Sequence, residues 1–285
     1  MLEGRVDLHC HTTKSDGTFT PTELVSEAAR RGLAAVAITD HDCVDGIGEA
    51  LEAVEENCVD VVPGVEISTD VSDGEIHILG FFIDYEDEDL LKFLEAQRES
   101  RVRRVERMLR KLAALGIDLS MEDVLEHAGD GAVGRPHIAA AMVKAGYVLS
   151  WDEAFAHYIG LHAPAYESRS KLTPYEAIEA VLAAKGVPVL AHPGLSGKDD
   201  MIPSLVEHGL EGIEAIYPQH TSGQQEHYQR IAREYGLLVT AGSDCHGPYS
   251  QSGVVLGSAT TDYEVVLRLY EHARRTQAMI CEKRT

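Results

Sequence analysis

Short apolar runs alternate with helical patterns along most of the 285 residues, and this alternation limits the folds that the chain can adopt. Several runs, such as AAVAITD at 34–40 and VPVLAHP at 187–193, are continuous, as in strands that are buried on both faces. The candidate strands span residues 5–12, 33–41, 59–69, 75–84, 187–192, 212–217 and 237–246. We therefore predict the α/β class, with about seven strands forming a parallel, closed barrel.

Two helix starts between these strands are well marked. Thr20 and Thr173 are each followed by a proline and then by a glutamate at the third helical position, the pattern of a capped helix. The stretch 93–168 instead shows helical periodicity without strand signals. We predict a helical insertion over 93–168, lying as a substrate cap across one end of the barrel, between barrel parts at 1–92 and 169–285.

The charge balance narrows the classes of partner. The chain carries 25 basic and 47 acidic residues, a net charge of −22, which argues against binding of duplex DNA. A small anionic substrate is compatible with this balance if positive charge is gathered locally. No apolar run approaches the roughly 20 residues that span a bilayer, and the N-terminus lacks a signal-peptide pattern. We expect a cytoplasmic protein without membrane contact, whose five cysteines are reduced thiols.

Ionisable side chains recur near the C-terminal ends of the candidate strands. His9 and His11 are two residues apart, as are Asp244 and His246, so each pair shares one face of a strand. In a parallel barrel these strand ends converge on one face, where sites are built. The predicted metal ligands are His9, His11, Asp16, His41, Glu66, His77, His192, Asp244 and His246. Imidazole with carboxylate suits Mn, Fe or Zn, and nine ligands fit two or three divalent ions.

Taken singly, each of these residues has an equally good structural explanation. His77 lies in the apolar run GEIHILG and would serve as well as a hydrogen-bonded core histidine. Nine polar residues at strand ends, in apolar surroundings where charge is costly to bury, together favour a metal centre. Cys10 and Cys245 each stand between two of these ligands and alternate to the opposite face, so we predict that both are small core residues.

Six segments in chain order resemble the motifs of the PHP (polymerase and histidinol phosphatase) superfamily: DLHCHTTKSDGTFTP, AITDHD, PGVEIS, the isolated His77, LAHPG and GSDCH. The resemblance covers roughly 1–90 and 170–260, and it implies a distorted (β/α)7 barrel with a trinuclear metal centre. One ion would be held by His9, His11, the bridging Glu66 and Asp244, the second by Glu66, His77 and His192, and the third by Asp16, His41 and His246. The predicted catalytic residues are His41 and Glu66, with the neighbouring Asp40 as a candidate for proton transfer or substrate contact.

A basic segment lies inside the predicted insertion. Residues 98–111 contain seven basic and two acidic residues, a local charge of +5 in an acidic chain. Guanidinium groups match phosphate geometry, so this segment predicts phosphate binding, although a solvent-exposed helix face is an open alternative. Free N–H groups at the helix start near Arg135 and His137 suit an anion as well. The predicted substrate-binding residues are Asp40, Arg101, Arg104, Arg135 and His137.

These features together predict metal-assisted hydrolysis of a phosphate monoester. The chain looks similar to smaller PHP hydrolases that act on nucleotides with 3′ and 5′ phosphates or on short RNA. We predict removal of the 3′-phosphate of a 3′,5′-bisphosphonucleotide, as in the conversion of adenosine 3′,5′-bisphosphate (pAp) to AMP plus phosphate. A 5′-to-3′ exonuclease on short RNA oligonucleotides and a non-catalytic metal-binding module stay open, whereas a histidinol-phosphate phosphatase and an amidohydrolase are less favoured. Tyr217 and His220 receive no role, and we expect His220 at the surface.

Overall fold

The structure is a computed structural model that describes residues 4–71, 74–129, 131–168, 172–248 and 253–283, with side chains up to residue 276. Eight strands form one sheet in the order β7-β6-β5-β4-β3-β2-β1-β8. They are β1 (Arg5–Asp7), β2 (Leu33–Ile38), β3 (Asp60–Val71), β4 (Gly74–Phe81), β5 (Val187–Leu190), β6 (Gly212–Ile216), β7 (Leu238–Ala241) and β8 (Thr261–Asp262).

The sheet curls into a nearly closed barrel because the segments after β1 and β7 pair with each other. The Leu8 N–H donates to the Ala241 carbonyl at 3.1 Å, and the Asp244 N–H donates to the His9 carbonyl at 2.8 Å. Cys10 and Cys245 face each other in the same pairing, and both are buried, as predicted. The predicted distorted α/β barrel is confirmed, with the two-residue β8 added antiparallel to β1.

One strand departs from the predicted parallel arrangement. β4 runs antiparallel to both β3 and β5, whereas β1–β2, β2–β3, β5–β6 and β6–β7 are parallel. Only two residues separate the end of β3 from the start of β4. A connection that short cannot carry the chain back across the barrel, so the two strands must pair antiparallel. The prediction of an all-parallel barrel is therefore wrong at this strand.

Helices cover the barrel and build a second layer at one end. They are α1 (Pro21–Arg30), α2 (Ile47–Glu52), α3 (Val54–Asn57), α4 (Glu88–Ala114), α5 (Met121–Ala128), α6 (Arg135–Lys144), α7 (Trp151–Ala154), α8 (Pro174–Ala183), α9 (Pro193–Ser196), α10 (Ile202–Glu207), α11 (Ser222–Tyr235) and α12 (Glu264–Lys283), with a π-helical turn at Phe155–Ile159 and a 3-10 turn at Asp199–Met201. α1 and α8 begin with the predicted capping boxes at Thr20 and Thr173.

Two hydrophobic cores share the long helix α4. Leu90 and Leu94 pack into the core between the barrel and its helices, whereas Met108 and Leu112 pack into a separate core formed by residues 105–165. We refer to this second unit as the cap. The expected boundary at 92/93 thus falls inside one continuous helix, and the expected boundary at 168/169 adjoins residues 169–171, outside the described part. None of the described helices is long and apolar enough to cross a membrane.

Candidate metal centre

The nine predicted ligands meet at one end of the barrel. His9 and His11 follow β1, His41 follows β2, and His192 follows β5. The others are Asp16 in the loop after β1, Glu66 within β3, His77 within β4, and Asp244 and His246 after β7. His77 lies in the first half of its strand, and it reaches this end of the barrel because β4 is antiparallel. The convergence expected of parallel strand ends is thus achieved here by a reversed strand.

Glu66 is the central group of the cluster. It is 1% exposed, and its two carboxylate oxygens face different sets of histidines. Oε2 lies 3.4 Å from His9 Nε2, 3.3 Å from His11 Nε2 and 2.9 Å from His41 Nδ1. Oε1 lies 2.7 Å from His77 Nδ1 and 3.0 Å from His192 Nε2. Glu66 therefore contacts five of the six predicted histidine ligands through its two oxygens.

The ligand atoms fall into three overlapping groups, and within each group every donor atom lies within 4.8 Å of the others. The groups are His9, His11, Glu66 and Asp244; His41, Glu66 and His77; and His11, Asp16, His41 and His246. The first has the composition that the family resemblance implies for one ion. The second contains His41 where the resemblance implies His192, and the third contains His11 in addition to the implied ligands.

The chemistry of these donors fits divalent metal ions. Four buried polar atoms in the cluster have no hydrogen-bond partner: His9 Nε2, His11 Nε2, Asp16 Oδ1 and Glu66 Oε2. Leaving such atoms unpaired inside a protein costs free energy, and a cation coordinated by them would remove that cost. The imidazole and carboxylate set, without cysteine, suits Mn, Fe or Zn. The centre is a divalent metal-binding site.

Within the cluster, carboxylates and histidines shift one another's pKa. Burial alone would raise the pKa of Glu66, but the surrounding histidines hold it well below its usual range. Burial would lower the pKa of His11, yet the adjacent carboxylates of Asp244 and Glu66 raise it to about 10. At His41 burial dominates and lowers the pKa to about 4. Metal binding needs neutral imidazoles and ionised carboxylates, so a bound divalent cation would compete with protons for these side chains.

Asp40 forms hydrogen bonds with the loop after β1, which carries two of the predicted ligands. It is completely buried, and its carboxylate accepts three hydrogen bonds from the loop after β1. The donors are the N–H of Thr12 at 2.7 Å, the hydroxyl of Thr12 at 2.6 Å and the hydroxyl of Ser15 at 2.5 Å. A role of Asp40 in proton transfer or substrate contact stays a prediction beside these contacts. The side chain holds the loop that carries His11 and Asp16.

Two further predicted substrate-binding residues are buried and form hydrogen bonds inside the protein. The Arg101 guanidinium donates from Nε to Asp42 at 2.6 Å and from Nη2 to the Ser68 hydroxyl at 3.1 Å, and only 6% of the residue is exposed. His137 is buried as well, and its Nδ1 accepts a hydrogen bond from the N–H of Gly134 at 3.0 Å, within its own helix start. Internal partners thus bind Nε and Nη2 of Arg101 and Nδ1 of His137, and substrate contact by either residue stays a prediction.

Arg104 and Arg135 share one acidic partner. Nη2 of Arg104 lies 2.9 Å from one carboxylate oxygen of Glu75, and Nη2 of Arg135 lies 2.7 Å from the other. Both guanidinium groups also lie near the ring of Tyr166, with distances of 5.4 and 5.8 Å to its centroid. The two arginines thus form ion pairs with the two oxygens of one carboxylate. Sequence patterns identified the cations, but they did not reveal this internal carboxylate.

A cavity of about 310 Å³ opens directly beside the metal ligands. Its walls include His77 and His192 of the centre together with Arg135 of the cap and Tyr166, which follows the cap core in the chain. The remaining lining residues are Gly74, Glu75, Ile76, Leu161, Ala191, Leu195 and Ser196. The cavity therefore joins metal ligands, a cation and an aromatic ring in a space large enough for part of a small molecule.

Residues near β6 contact the centre, although the sequence patterns assigned them no role. Glu214 is completely buried and lies 3.0 Å from His9 Nδ1. The hydroxyl of Tyr217 donates to Asp244 at 3.0 Å. His220, expected at the surface, is instead buried, and its Nε2 accepts a hydrogen bond from the N–H of Gly194. The available signal was Glu214 itself, a single charge within the apolar run GIEAI.

Both the sequence and the fold of this chain are similar to those of known proteins. A family model described as the PHP domain matches residues 7–147. The chain is 34% identical over 249 residues to a 5′-3′ exoribonuclease of Haemophilus influenzae, covering 86% of this chain and 90% of that protein. It is 32% identical over 252 residues to a 3′,5′-nucleoside bisphosphate phosphatase of Chromobacterium violaceum, covering 85% and 87%. Among solved structures, one described as a metal-dependent phosphoesterase from Bifidobacterium adolescentis matches with a TM-score of 0.87, at 35% identity over 94% of this chain and 96% of that one.

Proposed function

The chain belongs to the PHP family and is a metal-dependent phosphoesterase. From this premise we propose that it removes the 3′-phosphate of a 3′,5′-bisphosphonucleotide, converting adenosine 3′,5′-bisphosphate to AMP plus phosphate. The observation that carries the proposal is the cavity in which Arg135 faces the same space as His77 and His192. A substrate with two phosphates can place one at the metal ligands and the other at a cation.

The residues of the centre would hold two or three ions of Mn, Fe or Zn. Glu66 would bridge, because its two oxygens face different histidines. When bound, such ions lower the pKa of a water molecule and neutralise phosphate oxygens. His192 is not part of the group formed by His41, Glu66 and His77, but its Nε2 lies 3.0 Å from Glu66 Oε1. It could therefore bind the same ion as that oxygen. The chain itself would bind the phosphate, orient it and exclude bulk water around it.

The second phosphate would pair with Arg135. Together with Arg104, this residue already holds the carboxylate of Glu75, which has the forked shape of two phosphate oxygens. A phosphate entering the cavity would compete with Glu75 for Arg135, the more exposed of the two arginines. The Tyr166 ring would offer a flat apolar surface to the nucleoside. This arrangement favours a bisphosphorylated substrate over AMP, which would leave one of the two positions empty.

A second candidate function is 5′-to-3′ hydrolysis of short RNA oligonucleotides. The specific observation in its favour is the pair of leucines at the cavity, Leu161 and Leu195, which are 45% and 53% exposed. Exposed apolar side chains beside the cavity would suit the base of a further nucleotide. A metal-binding module without turnover is less favoured, because all nine ligands are present and converge. The exclusion of duplex DNA and a cytoplasmic location stay predictions.

The test is phosphate release by the Mn-loaded protein from adenosine 3′,5′-bisphosphate, AMP, histidinol phosphate and a short RNA, measured side by side. We expect efficient release from the bisphosphate and little from AMP. Faster cleavage of the RNA than of the bisphosphate would transfer the assignment to the exonuclease. Absence of turnover on all four, in protein shown to contain metal, would overturn both hydrolase proposals.

The role of Arg135 is tested by Arg135→Ala, with Arg103→Ala as the matched control. Arg103 is an arginine of α4 that is more than half exposed and pairs with Glu99 one turn earlier in the same helix. A charged hydrogen bond of about 1.5–3 kcal/mol corresponds to a loss of roughly 10–100-fold in kcat/KM for the bisphosphate. We expect this loss for Arg135→Ala and wild-type values for Arg103→Ala. Equal values for the two variants would contradict the assignment.

A further inference from the structure

β6 is a central strand of the barrel, yet it supplies none of the nine predicted ligands. Its middle residue, Glu214, is nevertheless a carboxylate with no exposed surface. Burying a charge of this kind is costly unless it is paired and hydrogen-bonded. Glu214 has two such partners, and both belong to proposed ligands. Oε1 lies 3.0 Å from Nδ1 of His9, and Oε2 accepts the backbone N–H of His192 at 2.9 Å.

The bond to His9 decides which imidazole nitrogen can bind a cation. A carboxylate can only accept, so Nδ1 of His9 must carry the proton in this contact. Nε2 is then the free nitrogen, and it points into the centre, 3.4 Å from Glu66 and 3.5 Å from Asp244. Nε2 has no hydrogen-bond partner of its own. Glu214 thus selects the tautomer and the ring orientation that a metal ligand needs.

The contact to His192 supports a strained backbone. His192 has a φ of 27°, in the left-handed region that residues with a side chain rarely adopt. The hydrogen bond from its N–H to Glu214 helps to hold that conformation. The same strand end also carries Tyr217, a buried residue whose hydroxyl donates to Asp244 at 3.0 Å. Three proposed ligands, from three different loops, therefore depend on side chains of one strand and its following turn.

We propose that Glu214 is a positioning residue of the metal centre, which orients His9 and His192 for metal binding, with Tyr217 doing the same for Asp244. This inference rests on the metal centre of the proposed function, but not on the identity of the substrate. Carboxylates that orient a metal-bound histidine in this way typically alter metal affinity 10–100-fold when they are removed.

The test is Glu214→Gln, which preserves the size of the side chain. A carboxylate accepts hydrogen bonds through both oxygens, whereas an amide accepts through only one, so the variant must lose the acceptor for the Nδ1–H of His9 or the acceptor for the N–H of His192. We expect Mn²⁺ affinity, measured by isothermal titration calorimetry on metal-free protein, to fall about 10–100-fold. Tyr217→Phe should weaken binding as well, by removing the donor to Asp244.

The matched control is Thr240→Val. Thr240 lies opposite Glu214 in the β6–β7 pairing, is 1% exposed, and its hydroxyl has no hydrogen-bond partner. This variant perturbs the same buried layer without removing a hydrogen bond to a ligand, so its Mn²⁺ affinity should equal that of the wild type. The melting temperature of each metal-free variant measures any loss of folding, and activity of Glu214→Gln should recover at high Mn²⁺ concentration.

The outcomes separate this inference from the proposed function. Wild-type protein that binds no divalent metal would overturn the metal centre itself. Wild-type protein that binds metal, with unchanged affinity in Glu214→Gln, would overturn the positioning role alone. A lower melting temperature of metal-free Glu214→Gln without a change in affinity would likewise mean that Glu214 only stabilises the barrel.

Discussion

Two of the proposed ligands stand on unusual backbone. His192 and Asp244 have positive φ values of 27° and 57°, although neither is glycine. Such conformations cost of order 1–3 kcal/mol each and persist only when the surrounding structure holds them. Here Glu214 accepts the N–H of His192, and the carbonyl of His9 accepts the N–H of Asp244. At these two ligands, part of the stability of the fold therefore offsets the backbone strain that accompanies the orientation of the side chain.

Gly242 permits the close approach on which this arrangement depends. A Cβ at this position would lie 2.6 Å from Oε1 of Glu214 and would also collide with the side chain of His9. Gly242→Ala should therefore lower the free energy of unfolding by about 1–3 kcal/mol and weaken Mn²⁺ binding, because His9 must move. Denaturant unfolding of the metal-free protein and calorimetric titration measure the two effects.

The control for this variant is Gly48→Ala, in helix α2. A Cβ at Gly48 would meet no atom within 4 Å, and alanine favours a helix over glycine by up to about 1 kcal/mol. We expect equal or greater stability and unchanged metal binding. A metal affinity in Gly242→Ala that matches Gly48→Ala would show that the approach of His9 to Glu214 does not matter.

Among the secondary-structure elements, β8 is the one that the strand predictions missed. It has two residues, too few for any alternation to be visible in the sequence. Its neighbour Tyr263 is buried and donates from its hydroxyl to Asp60, at the start of β3. The bond thus ties the segment before α12 to the barrel. Contacts between residues so distant in the chain leave no local sequence pattern.

Tyr263→Phe tests this anchor. Removing the donor to Asp60 should lower the free energy of unfolding by about 1–2 kcal/mol at pH 7. Burial and the bond to Asp60 raise the pKa of Tyr263 to about 12, from an ordinary value near 10. The unfolded chain therefore loses this proton first, and the stability that the hydroxyl contributes falls as the pH rises from about 10 to 12.

Urea unfolding of wild type and variant at pH 7 and at pH 11 measures the difference directly. The gap between the two proteins should narrow at the higher pH. Tyr235→Phe, at an exposed position of α11, is the control and should leave stability unchanged at both values. A gap that is equal at the two pH values would contradict the proposed link between the hydroxyl and Asp60.

The difference between local sequence patterns and contacts distant in the chain explains which parts of the site were predictable. His9 and His11 could be identified because strand alternation puts both on one face, and Thr20 because its capping pattern is local. Arg101 could be recognised as a cation, but not as the partner of Asp42, since that pairing depends on how α4 lies against the barrel. Sequence patterns reveal periodicity and local chemistry. They do not reveal which buried partner a long side chain selects.

For the whole molecule, α4 decides how barrel and cap are related. The reversed strand β4 ends on the side of the barrel away from the metal centre, and the chain must return to the opposite end. The 27 residues of α4 rise by about 40 Å, enough to make that return in one element. Leu94 then lies in the barrel core and Met108 in the cap core, on one unbroken helix. We expect the two cores to unfold together.

Leu94→Ala and Met108→Ala test this coupling, since each truncates a side chain that is at most 1% exposed. Either substitution should cost about 2–5 kcal/mol. Trp151, the single tryptophan, packs against the cap core, so its fluorescence reports on the cap, whereas far-UV circular dichroism reports on the whole chain. In urea the two signals should shift together for both variants. A fluorescence transition in Met108→Ala that precedes the dichroism transition would mean that the cap unfolds alone.

The shared helix also bears on how substrate range could be redesigned by building chimeras. A cap attached through loops could be exchanged as a module, but between the two cores α4 carries Arg101 and Arg104, whose carboxylate partners Asp42 and Glu75 belong to the barrel. A graft that joins a foreign cap near residue 92 would bring new side chains against these two acids and remove their arginine partners on α4. The transplantable unit is α4 from Glu88 onward together with its two acidic partners.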